Sequence, residues 1–374
     1  MSSITIREVQ NKSDLNIFIK FPWEIYKNDP HWVPPLLIDM KTILSKKKNP
    51  FYQHSEIQLF LALKGGRTVG RIAAILNRNH NKFHEEKTGF FGFFESVNDV
   101  MVVESLLTAA KLWLKGKGMS TIRGPMNLTT NDTCGMLCEG FDSAPYIMMT
   151  YNPQYYIDLM HSAGMQKCKE LYAYYMTQNT EIPERFIKFA QKAMQDDSIT
   201  FRNINMKKFD AEVKIVMEIY NDAWQKNWGF VPMTDAEIQH MANELRMGVD
   251  PDIVFIAEID GEPAGFSLAL PDFNQVLQKI NGRLLPFGIF KLLKNKSKID
   301  TVRVLTLGVK QKFQKKRALA PAFYYETYRR GIEKGYHSGE FSWILDDNMP
   351  MNRAITGLGA SLYKKYAIYE AEIR

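Results

Sequence analysis

Apolar and polar positions alternate so as to divide the chain into short strands and amphipathic helices, and one order of elements recurs twice. In the first half, Ile4–Val9 alternates with charge and predicts an edge strand, and Asp14–Tyr26 has helical spacing. Pro30, Pro34 and Pro35 make 31–35 extended or turned, because proline fixes φ and removes a donor. Ile57–Lys64 and Thr68–Asn77 are β-rich and meet at Gly65-Gly66, a pair suited to a tight hairpin. Thr88–Glu95, dense in Phe, predicts a third strand, and Asp99–Lys117 a helix closed by Gly118. Thr121–Gly124 and Tyr146–Thr150 read as strands. Asn152-Pro153 opens a short helix running to Gly164, and Leu171–Met176 closes the set.

The second half repeats this order. Thr200–Ile204 predicts a strand and Asp210–Trp224 a helix, followed by a hairpin of Ile253–Ile259 and Pro263–Leu270 turning at Asp260-Gly261. Thr301–Val309, a helix over Ala318–Lys334, Gly339–Leu345, a short helix over Asn348–Leu358 and Tyr366–Ala371 complete it. A repeat of about 190 residues is a duplication of whole domains rather than a solenoid. The expected domains are 1–178 and 199–374, separated by a polar stretch, Thr177–Ser198, that carries a helical segment from Pro183 to Gln195. A chain of 374 residues suits two domains.

Composition narrows the class. With 45% hydrophobic and 24% charged residues, the chain is neither disordered nor low-complexity. The net charge of +7 is mild for this length and suits an anionic small ligand or a membrane surface as well as nucleic acid, for which no motif is present. Cys134, Cys138 and Cys168 cannot make a disulfide framework, so a reducing cytoplasm is expected. The spacing of Cys134 and Cys138 lacks the partners of a zinc set, so no metal is expected. Residues 1–20 lack the apolar core of a signal peptide, and no run reaches the ~18 apolar residues of a spanning helix.

One stretch points to chemistry. In Val309–Ala320 (VKQKFQKKRALA), Gln314, Lys315, Lys316 and Arg317 lead into an apolar helix. Helix N-termini attract phosphate oxygens through unpaired N–H groups and the dipole, although a solvated basic turn has the same composition. The corresponding Glu95–Val103 has no basic residue, and Glu95 and Asp99 would repel phosphate.

On this order of elements, each half resembles a GNAT acyltransferase domain, the acyl-CoA N-acyltransferase fold. The family's loop, Gln/Arg-x-x-Gly-x-Gly/Ala, is met at Gln314, while Arg317 and Leu319 replace its small residues. Tandem GNAT proteins are similar over nearly the whole chain, through Asp29–Leu36 (DPHWVPPL), Gly70–Ala74 (GRIAA), Gly89–Glu95 (GFFGFFE), Gly124–Asn127 (GPMN), Tyr151–Tyr156 (YNPQYY) and Ser342–Asn348 (SWILDDN). The resemblance implies an α/β (α+β) fold of two GNAT-like domains in tandem, each a twisted mixed sheet flanked by helices. It implies an N-acyltransferase that passes an acyl group, acetyl or longer, from acetyl-CoA or another acyl-CoA to a primary amine by direct attack. The cofactor would lie in the second half, on Val309, Gln314, Lys315, Lys316, Arg317 and Ala318.

A GNAT site also needs a base and an acid. Base candidates are Glu340, Asp346, Asp347 and Glu258, with Glu340 and Asp346 preferred, because Asp347 and Asn348 sit where a helix cap belongs. The family's acidic Tyr is replaced by Ile355 in the second half and Met160 in the first, with Tyr363 and Tyr366 nearby in sequence. Trp32, Asn127 and Tyr156 are expected to touch the acceptor, with core packing as the alternative for the two aromatics. The insertion Pro271–Asp300 carries Leu284–Lys298, where apolar residues alternate with a basic flank. It reads as a peripheral membrane contact, an acyl-tunnel wall or a helix buried between domains. Two other functions stay open: a long-chain acyltransferase acting on a lipid amine at the membrane, and a non-catalytic GNAT-like binding module.

Overall fold

The computed structural model describes residues 3–314 and 319–374. Strands β1 (Ile4–Glu8), β2 (Ser55–Lys64), β3 (Arg67–Asn77), β4 (Thr88–Ser96), β5 (Thr121–Gly124), β6 (Met126–Asn127), β7 (Thr133–Cys134), β8 (Met136–Glu139) and β9 (Gln166–Thr177) fall in the first half. Strands β10 (Ile199–Asn203), β11 (Val254–Ile259), β12 (Glu262–Pro271), β13 (Thr301–Val309), β14 (Ser338–Leu345) and β15 (Ser361–Glu372) follow. The described chain forms two compact units. One comprises 1–170, 277–292 and 365–374, and the other 171–276 and 293–364.

In the first unit the strand order is β1-β2-β3-β4-β5-β15, with β8 also pairing β15. The predicted hairpin is present, and Gly65 and Gly66 both take the positive φ its turn requires. Strand β4 is parallel to β5 and buried on both faces, which explains its continuous Phe-rich run. The helix Val100–Gly116 starts at Asp99, whose carboxylate accepts from the Met101 N–H at 3.0 Å. Its Val103, Leu106, Leu107, Ala110 and Leu114, at helical spacing, bury against Phe60, Ile72, Phe91 and Tyr369. Strand β15 closes this unit, pairing antiparallel with β5 from Tyr369–Gly124 to Glu372–Thr121.

In the second unit the order is β9-β14-β13-β12-β11-β10. Strands β11 and β12 form the second predicted hairpin, with Asp260 and Gly261 both at positive φ. The helix Phe209–Trp224 packs Ile219 and the partly buried Ile215 and Val216 on Val254, Ile256 and Phe266. Strand β9 pairs with β14, from Leu171–Leu345 to Thr177–Ser338.

Two local expectations fail. Tyr146–Thr150 is a turn, with Met148 at positive φ and the Met149 N–H on the Tyr146 carbonyl, so its apolar run serves burial without a strand partner. The helix Asp235–Leu245, absent from the predicted elements, carries a capping box between Thr234 and Glu237 that was readable as Thr-x-x-Glu.

Candidate active site

The second unit is built around a parting of strands. Parallel strands β13 and β14 are in register only from Thr301–Ser338 to Val304–Phe341. Beyond that point β13 continues to Val309, pairing with β12 alone. A bulge lies at the divergence: Leu268 faces Thr306 and Ala269 faces Val304, so Leu305 has no opposite residue on β12. The Thr306 hydroxyl is buried without a partner among the described residues. Gly308 allows the Trp224 indole to rest on the strand, since a Cβ there would run into the ring.

Glu340 sits one residue before the last β13–β14 pair and is fully buried. Its Oε1 accepts the Ser342 hydroxyl and its Oε2 the Tyr363 hydroxyl. Arg303, opposite it on β13, places Nε 3.8 Å from Oε1 and also donates to the Ser342 hydroxyl at 2.8 Å and to the Ser342 carbonyl at 3.1 Å. Burial pushes the Glu340 carboxyl above its ordinary range, against the pull of Arg303, the two hydroxyls and nearby Lys364. Arg303 is a lone cation in the apolar run Thr301–Val309, a signal that a buried partner had to exist.

Asp346 lies at the end of β14 and is half-buried. Asn352 fixes the turn there, donating to the carbonyls of Leu345 at 3.0 Å and Asp346 at 3.2 Å and accepting the Tyr174 hydroxyl at 2.8 Å. Asn348 is the N-cap of the helix Met349–Gly357, and Asp347 is exposed.

Of the expected cofactor residues, Lys315, Lys316, Arg317 and Ala318 lie outside the described residues. Val309 ends β13, and its carbonyl accepts the Gln314 side chain at 3.0 Å. The cations just upstream are engaged: Lys310 reaches Glu218 at 2.5 Å, and Lys312 pairs with Glu262. The helix Leu319–Glu333 follows.

The three expected acceptor residues lie in the first unit. Trp32 stacks on Tyr26 at 4.9 Å and meets Trp23 edge-on at 5.1 Å. Tyr26 and Tyr156 each donate a hydroxyl to Glu95 Oε2 at 2.8 Å, and Arg71 lies 3.6 Å from Oε1. Tyr156 also accepts the Ser96 N–H at 2.8 Å. Trp32, partly exposed, thus packs on the Tyr26 that shares Glu95 with the buried Tyr156. Asn127 instead accepts the Phe93 N–H at 2.7 Å and donates to Thr133 at 2.9 Å. Phe93, with a φ of 48°, is in the bulge of β4, and the bare Cα of Gly92 lets the Met126 carbonyl approach that strand. In this unit the segment after β5 is packed against the bulge of β4. At the start of the following helix Asp99 takes Lys64 at 2.8 Å.

Comparison with known proteins bears on the fold. No family model matches the chain. It is 38% identical over 379 residues to Protein YghO of Escherichia coli, covering 98% of this chain and 95% of that one. It is 35% identical over 375 residues to a protein of Caulobacter vibrioides named bacterial ceramide synthase, covering 99% and 97%. Among solved structures, a tandem GNAT protein from the clavulanic acid biosynthesis pathway superposes with a TM-score of 0.59 at 13% identity, covering 100% of this chain and 99% of the other. A GCN5-related N-acetyltransferase from Sphaerobacter thermophilus gives 0.55 at 12% identity, covering 99% and 96%. The fold is therefore that of tandem GNAT proteins.

Proposed function

The chain belongs to the tandem GNAT family, alongside the Caulobacter vibrioides relative named bacterial ceramide synthase, and we propose that it is an acyl-CoA-dependent N-acyltransferase that forms an amide on a long-chain amine. The observation that carries this reading is the buried Glu340 carboxylate, joined to Tyr363 beside the point where β13 and β14 part. The long-chain acceptor is taken from the ceramide-forming relative, a ceramide being the N-acyl product of a sphingoid amine.

Acyl-CoA supplies an activated acyl group as its thioester. Gln314, Lys315, Lys316, Arg317 and Ala318, with Val309, are the residues assigned to its diphosphate end. Lys310 and Lys312 pair with Glu218 and Glu262, so neither is assigned that role. The N–H at the Leu305 bulge is assigned to polarising the carbonyl oxygen. Glu340 is fully buried and Tyr363 only partly, so Tyr363 is the route to the carboxylate. The amine proton passes to the Tyr363 oxygen while the Tyr363 proton moves to Glu340 Oε2. The reverse transfer protonates the sulfur that leaves, so the net movement is one proton from nitrogen to sulfur. Asp346, at the strand end, is the alternative base. The first unit is assigned no cofactor, since its strand parting is packed and its helix start carries Asp99.

Thiol release tests the reading, using purified protein, palmitoyl- or acetyl-CoA and a sphingoid-type amine. Release that needs both substrates and falls on Arg317→Glu is expected. No release with either donor, together with no heat on titration of desulfo-CoA, overturns it. Of the three acceptor candidates, Asn127 and Tyr156 spend their polar atoms within their own unit.

A further inference from the structure

The segment Leu284–Lys298 leaves apolar side chains in solvent. Leu285 is 71% exposed, Phe287 73%, Phe290 67% and Leu293 64%. Such side chains normally bury, and an isolated one on a surface needs no explanation, but four within nine residues form a patch. Phe287, Phe290 and Leu293 recur every three residues leading into and along the helix Gly288–Lys296, which puts them on one face. Lys291 and Lys294 fall on the same face by this spacing. The opposite side of the helix carries Gly288, Ile289 and Leu292, all buried or partly buried. The helix therefore has a packed apolar side and a second apolar side facing water.

The segment leading into it is held in place. Asn281 accepts the Trp23 indole N–H at 2.7 Å, Gln278 donates to the Pro30 carbonyl at 2.6 Å, and the Gly282 carbonyl accepts the Leu37 N–H at 3.0 Å. These exposed residues thus follow an anchored stretch of chain.

Charge identifies what covers the patch. From Phe273 to Ile299 there is no acidic residue, while Lys279, Arg283, Lys291, Lys294, Lys296 and Lys298 are basic. A second copy of the same face would bring like charges together, whereas an anionic lipid surface offers both hydrocarbon and negative headgroups. We propose that 285–298 is a docking element that seats this protein on an anionic membrane, with Phe287, Phe290 and Leu293 entering the interface and the lysines above them at headgroup level. This deepens the lipid-amine reading, because the acceptor would be met where it partitions. No helix among the described residues is long and apolar enough to cross a membrane.

Docking is measured without donor or acceptor, by co-sedimentation with vesicles of equimolar phosphatidylglycerol and phosphatidylcholine and with pure phosphatidylcholine. Binding to the anionic vesicles that weakens with salt is expected, with a loss of about tenfold or more for Phe287→Ser/Phe290→Ser and for Lys294→Glu/Lys298→Glu. Absence of binding at low salt, or equal binding of wild type and both variants, overturns it. So does a concentration-dependent dimer that the Phe variant abolishes while no vesicle binding occurs. All changed residues are exposed, so the variants should keep the wild-type melting curve. Turnover of a short, water-soluble amine without vesicles reports separately on the enzymatic reading.

Discussion

Tyr363 donates its hydroxyl to Glu340, joining β15 to β14 through a carboxylate that water does not reach. A carboxyl in this setting holds its proton to higher pH than usual, yet Arg303 and two hydroxyls keep the ionised form accessible. That balance suits the proposed base, whose carboxyl titrates above the ordinary carboxylate range.

Glu340→Gln keeps the shape and removes the proposed base. Turnover is expected to fall by roughly 10²–10⁴-fold, with donor affinity nearly unchanged. Tyr363→Phe should lower kcat as well, since it cuts the route to the carboxylate. In the wild type, kcat/KM rises with pH as the base ionises, and this limb lies above the ordinary carboxylate range. Loss of the limb in Glu340→Gln checks the assignment, and an unchanged pH profile assigns the base elsewhere.

Gly308→Ala adds a methyl against Trp224, whose ring is stacked on Tyr220 at 4.8 Å and backed by Phe266 at 6.1 Å. The indole cannot withdraw without disturbing both neighbours. A loss of ~1–3 kcal/mol is expected from overpacking, read from denaturant midpoints.

The strand and helix pattern was readable wherever local chemistry decided it. Gly65-Gly66 and Asp260-Gly261 announced their hairpins because only their conformational freedom suits both turn positions. The helix after Asp99 was visible from its spacing and cap. Tyr146–Thr150 was misread because burial alone looks like a strand when no partner can be identified. Alternation tells which face a residue takes, not which strand lies beside it, so the pairing of β15 with β5 was hidden. At the candidate site, Glu340 was visible from its place on a strand. Its partners Arg303, Ser342 and Tyr363 come from three different elements or positions that no linear motif links.

Glu95 and Arg71 make a second buried charged pair, with Arg71 also donating to the Phe18 carbonyl at 2.6 Å. Burial raises the Glu95 carboxyl, and Arg71 opposes that rise. Glu95→Ala strands the guanidinium and should cost ~3–5 kcal/mol, whereas Arg71→Met/Glu95→Gln should cost less than the two single changes summed. A double-mutant cycle in urea measures this.

His80 lies against Phe90 and His84, with Glu86 at 3.3 Å and Arg123 beyond it. Burial, with repulsion from His84, lowers its pKa from 6.5 to about 4, and Glu86 only partly offsets this. The unfolded chain takes up this proton near pH 6.5 and the folded one near pH 4, so stability is lost as pH falls between them. The upper limit is ~3 kcal/mol. Stability of His80→Gln measured across this range should show a flatter slope than wild type.

The placement of β15 has a consequence for biosynthesis. The first unit draws its closing strand from residues 365–374. At a translation rate of ~5–20 residues per second, the 194 residues from 171 to 364 take roughly 10–40 s to emerge. During that interval the β15-facing edge of β5 has no partner from 365–374, and a chain truncated before residue 365 leaves it exposed for capture by chaperones.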